Sequence, residues 1–149
     1  PDHHILFGPV SITDEYHKLS KDLMVQFLRN KNFDHELASR IKAKNPPKRG
    51  HLKASERQAL KESMRDIDDV SALISELETD HKGVPTLLRH YLKLHGQLLS
   101  FNIDPDFGQC LDGLIMVDFT RSNPKLIKQY MGKDLWIAFA EYHGLNKSP

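Results

Sequence analysis

Apolar residues fall into two kinds of pattern along this chain. Short, nearly continuous runs read as strands, and longer stretches with a three-to-four residue recurrence read as helices. His4 to Ile12 (HILFGPVSI) predicts a strand, with Gly8-Pro9 marking a bulge or edge irregularity. Thr13 or Asp14 then caps a helix to about Arg29, whose apolar stripe is Tyr16, Leu19, Leu23, Met24, Phe27 and Leu28. A shorter helix is expected over Asp34 to Lys42, ended by Asn45-Pro46-Pro47. Ser55-Glu56-Arg57-Gln58 has the form of a capping box and opens a polar helix to Arg65. Asp66 or Asp68 caps the next helix, with Ile67, Val70, Leu73, Ile74 and Leu77 at helical spacing. Pro85 fits a first helical turn, Leu87, Leu88, Tyr91 and Leu92 form that helix's buried face, and Gly96 closes it. Leu98 to Ile103 and Gly113 to Phe119 read as strands, the second so apolar that it is expected to be central and covered on both faces. Ser122-Asn123-Pro124 starts a short helix, and Gly132 separates it from a last one, Lys133 to His143.

Three strands make a poor sheet unless something pairs with their edges. The pattern therefore predicts an α+β fold whose sheet is completed by residues upstream of Pro1 or by a partner chain. The 149 residues suffice for a single domain, residues 1–149, with 43–54 as a basic loop or linker. Composition is that of a globular chain, 39% hydrophobic and 28% charged, without an apolar run long enough to span a bilayer. The lone Cys110 excludes an internal disulfide and suits a reducing compartment, so a cytoplasmic location is expected, with peripheral contact at the inner membrane. A net charge of +1 says nothing by itself, but from Arg40 to Lys53 the run RIKAKNPPKRGHLK carries six lysines and arginines and no acid. Such a run is either a solvated loop or a surface for anionic lipid or an acidic protein.

Two places could hold chemistry. In the turn NIDPDF, Asp104 and Asp106 stand two apart beside an apolar strand pair and could supply a general base. The plainer alternative is a turn whose carboxylates bond local amides. Asp112 precedes Gly113 at the mouth of the buried strand and is expected to pair with Arg89 on the preceding helix. The second place is the strand-to-helix junction GPVSITDEYHKLS, where free amides and the positive end of the helix dipole suit a phosphate. His17 and Asp22 also show the spacing of a glycerolipid-acyltransferase pair. Residues five apart on a regular helix diverge by about 140°, which sets this pair aside. The histidines show no metal-ligand spacing, so no metal is expected, and no Walker, dinucleotide or nucleophile-elbow motif occurs. Aromatic residues are not interleaved with the basic run, which argues against nucleic acid.

The junction GPVSITDEYHKLS, the stretch GVPTLLRHYLKLHGQLLSFNIDPDFGQCLDGLIMVDF and the closing YMGKDLWIAFAEYHG together resemble one bacterial family. They are similar to the GNAT-like acyltransferase domain of hemolysin-like proteins, related to ornithine-lipid synthases. The resemblance covers both ends of the chain and says little about residues 31–79. It implies a mixed GNAT sheet flanked by helices and incomplete at its N-terminus, with the first strand here acting as the family's fourth and its bulge meeting the donor's pantetheine arm. It implies an acyltransferase (EC 2.3.1-type) that moves a fatty acyl group from acyl carrier protein or acyl-CoA to an amine or lipid, with no tightly bound cofactor. Val10, Ser11, Ile12, Thr13, Tyr16 and Ser20 would lie at the donor. Asp104, Asp106, Asp112 and Arg89 would lie at the acceptor. The junction lacks the usual glycine-rich phosphate loop, which leaves room for acyl carrier protein as donor. An acidic carrier or an anionic membrane would then meet Arg40–Lys53, and a homodimer or upstream domain would complete the sheet. The alternative is a non-catalytic module that docks a membrane or acidic partner.

Overall fold

The computed structural model describes residues 2–48, 50 and 52–145. The chain is α+β: three strands, β1 (Ile5–Ile12), β2 (Gln97–Asp104) and β3 (Cys110–Asp118), and seven helices among the described residues. The helices are α1 (Lys18–Lys31), α2 (His35–Ala38), α3 (Ala54–Ser63), α4 (Ile67–Leu77), α5 (Thr86–Lys93), α6 (Pro124–Met131) and α7 (Lys133–Tyr142). The strands form one antiparallel sheet in the order β1-β3-β2, and the only parallel element among the described residues is an isolated bridge between Phe33 and Leu98.

β3 is central, as its apolar run predicts, but it is covered on one face only. Leu111, Gly113, Ile115 and Val117 are buried, while Asp112, Leu114, Met116 and Asp118 alternate with them and are half-buried. The buried face joins Val10, Ile12, Leu98 and Phe101 to Met24, Phe27 and Leu28 of α1, Val70 and Ile74 of α4, and Leu88 and Leu92 of α5. A smaller cluster of Leu94, Val117 and Ile127 seats α6 and α7 at one end. The opposite sheet face is bare: Phe7 lies across from Met116 and Pro9 across from Leu114, with Phe7 69% exposed.

No bulge breaks β1. Its register with β3 runs unshifted from Ile5↔Asp118 to Ile12↔Leu111, and the irregularity falls instead in β2, between Leu98 and Ser100. Gly8-Pro9 is tolerated for a different reason. The Phe119 amide donates to the His4 carbonyl, and in an antiparallel ladder hydrogen-bonded pairs alternate. The backbones of residues 6, 8, 10 and 12 therefore face β3, and those of 5, 7, 9 and 11 face outward. Pro9 stands at an outward position, where an edge strand has no ladder amide to lose and where a proline blocks further pairing. The outer edge of β2 is closed by the chain itself. Leu98 N–H donates to Asn32, Asp34 N–H to Leu98, and Ile103 N–H to Asn45.

Several boundaries move for tertiary reasons. α1 begins at Lys18 rather than at Thr13 or Asp14, because residues 13–17 form a turn tied to Glu78 and Gly83, distant in sequence. α2 stops at Ala38, since the chain beyond it must reach Asn45 and lie along β2. α3 starts one residue before Ser55, with Glu56 accepting the Lys53 amide, so Ser55 is not the cap. Asp66 and Asn123 cap α4 and α6 as their side chains predict. Leu87 is 54% exposed and not on the buried face of α5. His95, not Gly96, takes the left-handed conformation after α5.

Gly83 is required by close approach. A Cβ there would lie 2.2 Å from the hydroxyl of buried Ser71, which accepts the Val84 amide at 3.0 Å. Gly83→Ala is expected to cost about 2 kcal/mol in chemical denaturation, whereas Gly8→Ala, with open space around its Cβ, stays within about 0.5 kcal/mol. Pro9→Val restores an outward amide on β1. Sedimentation velocity is expected to show stronger concentration-dependent association than in the parent chain.

Candidate functional site

The face of α1 that turns away from the core is polar. Lys18, Lys21, Asp22, Gln26 and Arg29 recur there at helical spacing with Val25, while Ser20, Leu23, Met24, Phe27 and Leu28 are buried on the other side. This polar face walls a cavity of about 1040 Å³. The turn of residues 14–17 forms one end. Pro47, Lys48, Gly50, Leu52 and Arg57 of α3 form the facing wall, and Ile103 and Leu111 from the sheet contribute apolar surface. A volume of this size accepts an extended, cofactor-sized ligand.

The turn is held rigidly. The phenol of Tyr16 donates to the Gly83 carbonyl at 2.8 Å, and Lys82 lies 4.6 Å over its ring. The His17 amide donates to the buried carboxylate of Glu78 at 2.8 Å. His17 is the N-cap residue of α1 and its side chain does not cap the helix, so the negative charge at this end of the dipole comes from Glu78. Burial, with the carboxylates of Glu78, Asp80 and Glu15 adding to it, pushes the Tyr16 phenol above its ordinary value of 10.0.

Charge within the cavity is mixed. Lys21 pairs with Asp14 at 2.5 Å, and Arg57 donates to the Leu52 carbonyl at 3.0 Å. Arg29 lies 5.5 Å over the ring of Phe101. The half-buried Asp22 has no ion-pair or hydrogen-bond partner among the described residues, and Gly50 approaches it so closely that a Cβ there would meet its carboxylate at 2.9 Å.

The residues expected at the donor are only partly gathered here. Tyr16 lines the cavity, but Val10 and Ile12 are core residues, 3% and 1% exposed. Thr13 is exposed beyond the end of β1. Ser11 is on the bare sheet face, where its hydroxyl donates to Asp112 at 2.6 Å. Ser20 is fully buried, and its hydroxyl has no hydrogen-bond partner among the described residues. The four acceptor-side residues lie outside the cavity wall. Asp104 accepts the amides of Asp106 and Phe107, as a plain turn would, and Asp106 is exposed. Asp112 and Arg89 do not pair. Arg89 bonds Asp68 of α4 at 2.6 Å, while Asp112 faces the other side of the sheet and accepts from Ser11. The structure brings Ser11 to Asp112 and leaves Arg89 elsewhere.

The cavity instead collects residues that the strand-to-helix motif alone does not single out. Their signal in the sequence is the recurrence of polar residues at 18, 21, 22, 26 and 29, opposite the apolar stripe. His17, the N-cap residue of α1, and Asp22 both line the cavity.

At the other end of the sheet, burial raises the Asp118 carboxyl. Hydrogen bonds from the Thr120 hydroxyl, the His4 ring and the Thr120 amide outweigh burial and hold the group below the usual carboxylate range. No group of three His, Cys, Asp or Glu suited to a metal occurs among the described residues, and no helix is long and apolar enough to cross a membrane. Searches of protein-family models, of curated proteins and of solved structures find nothing that matches this chain.

Tyr16→Phe removes one hydrogen bond at the turn and is expected to cost about 1 kcal/mol at neutral pH. A raised folded-state value favours the neutral phenol. The stability it contributes is whole below pH 10 and is lost as pH climbs through the raised value. The parent is therefore expected to lose stability above pH 10 more steeply than Tyr16→Phe, as read from denaturation midpoints across that range.

Proposed function

We propose that this chain forms part of a GNAT-like acyltransferase that moves a fatty acyl group from a thioester donor to an amine or lipid acceptor. The observation that carries this reading is the cavity at the β1–α1 junction, the place where the family resemblance puts the donor. Lys18, Lys21, Lys48 and Arg57 on its walls suit a donor phosphate. Val25, Leu52, Ile103 and Leu111 suit the pantetheine arm and the start of the acyl chain. Both acyl carrier protein and acyl-CoA present that chemistry.

In such a reaction the acceptor nitrogen attacks the thioester carbonyl and its proton passes to a base. The oxyanion is held by a backbone amide until the carbon–sulfur bond breaks and the thiol leaves. No covalent enzyme intermediate is needed. His17 and Asp22 are the groups on the cavity wall suited to receive the proton, in place of the hairpin aspartates, and a histidine is the side chain most often used for that transfer.

The test offers the intact protein both thioester donors, with ornithine, other amines and lysolipids as acceptors, and follows product by mass spectrometry. Arg57→Gln is expected to raise KM for the donor about tenfold with little change in kcat, the signature of lost ground-state binding. His17→Gln is expected to lower kcat at least about 100-fold. Absence of transfer from either donor to every acceptor would refute the proposal.

A further inference from the structure

The outer edge of β2 is not covered by a strand. Residues 41–48 run along it as a strap, pinned at Asn45 by three hydrogen bonds. The Asn45 amide donates to the Asn102 side chain at 2.7 Å, the Ile103 amide to the Asn45 carbonyl at 2.7 Å, and the Asn45 side chain to the Ile103 carbonyl at 3.3 Å. Pinning one side of the strap decides the other. Ile41, Ala43, Asn45 and Pro47 are half-buried, and Lys42, Lys44, Pro46 and Lys48 alternate with them as exposed positions. Lys42, Lys44 and Lys48 make no ion pair or hydrogen bond among the described residues, and no acid occurs in the sequence from residue 40 to residue 53. Arg49, in the same run, lies outside the described residues.

We propose that this row of lysines is a docking surface for an anionic lipid bilayer. Three features favour lipid over an acidic protein. The row is built of lysines, point charges on flexible stems, which protein–protein interfaces tend to exclude. No aromatic residue stands among them to act as an anchor in a partner's pocket. Diffuse attraction to a negative surface needs neither, and each lysine near such a surface contributes about fivefold in partitioning. Pro47 and Lys48 of the strap, with Gly50 after it, also line the cavity, so docking by this face brings the bilayer beside that wall. The proposal does not require the cavity to be catalytic.

The test is vesicle flotation of the intact protein, using phosphatidylcholine vesicles with and without phosphatidylglycerol. Lys42→Glu/Lys44→Glu, two residues outside the cavity wall, is compared with Lys125→Glu/Lys128→Glu, which makes the same change in net charge on α6. The parent is expected to float only with the anionic vesicles and to release them in ~1 M salt, where the screening length is about 3 Å. The strap variant is expected to lose at least about tenfold in partitioning, Lys42→Gln/Lys44→Gln to lose less, and the α6 variant to bind as the parent does. Circular dichroism melts establish that each variant is folded. The proposal is overturned if the parent ignores anionic vesicles, if both charge reversals weaken binding equally, or if the parent binds polyglutamate or an oligonucleotide in preference to the vesicles.

Discussion

The hydrogen bond from the His17 amide to the buried carboxylate of Glu78 sets where α1 begins, and the cavity depends on that position. Glu78 is 3% exposed and lies at the end of α4, yet it serves a different helix. A carboxylate taken out of water needs compensation, and the amide together with the positive end of the α1 dipole supplies it. Tyr16 adds a second tie one residue earlier, to the Gly83 carbonyl. Gly83 can sit there because it has no Cβ to meet Ser71. The segment of residues 78–83 is thus a clamp that draws the β1–α1 turn against α4 and leaves the polar face of α1 free to wall the cavity.

The two edges of the sheet are treated differently. A small sheet is exposed to unwanted pairing along both edges. On one side the chain folds back on itself, with residues 32–34 and Asn45 occupying the free backbone groups of β2. On the other side Pro9 interrupts the outward amides of β1 without weakening its ladder with β3. The remaining bare surface, around Phe7 and Met116, lies opposite the core rather than beside the cavity. The expectation of unsatisfied edges is therefore met in part by the chain's own strap.

The acids of the β2–β3 hairpin and the cavity are separated by the geometry of a pleated strand. Ile103 and Leu111 face the cavity, so their neighbours Asn102, Asp104 and Asp112 must turn to the other face or into the turn. Proximity in the sequence suggested one site in the hairpin. Alternation along the strands divides it, and the polar groups at the cavity come from α1, the turn before it, the strap and α3.

Local patterns determined much of this protein. The three strands, the stripe of Leu23, Met24, Phe27 and Leu28 on α1 (Leu19 is exposed and Tyr16 precedes the helix), the caps at Asp66 and Asn123 and the centrality of β3 follow from short-range periodicity and side-chain capping, which act within a few residues. The polar face of α1 was equally present in the sequence, at the spacing 18, 21, 22, 26 and 29. Tertiary structure alone decided that α1 starts at Lys18, that Arg89 meets Asp68 instead of Asp112, and that Asn45 pins residues 41–48 to β2 with their lysines exposed. Each of these is chosen by a partner distant in sequence: Glu78 for His17, Asp68 for Arg89, and Asn102 with Ile103 for Asn45. Such pairings depend on which elements pack together, and no window along the chain contains both members.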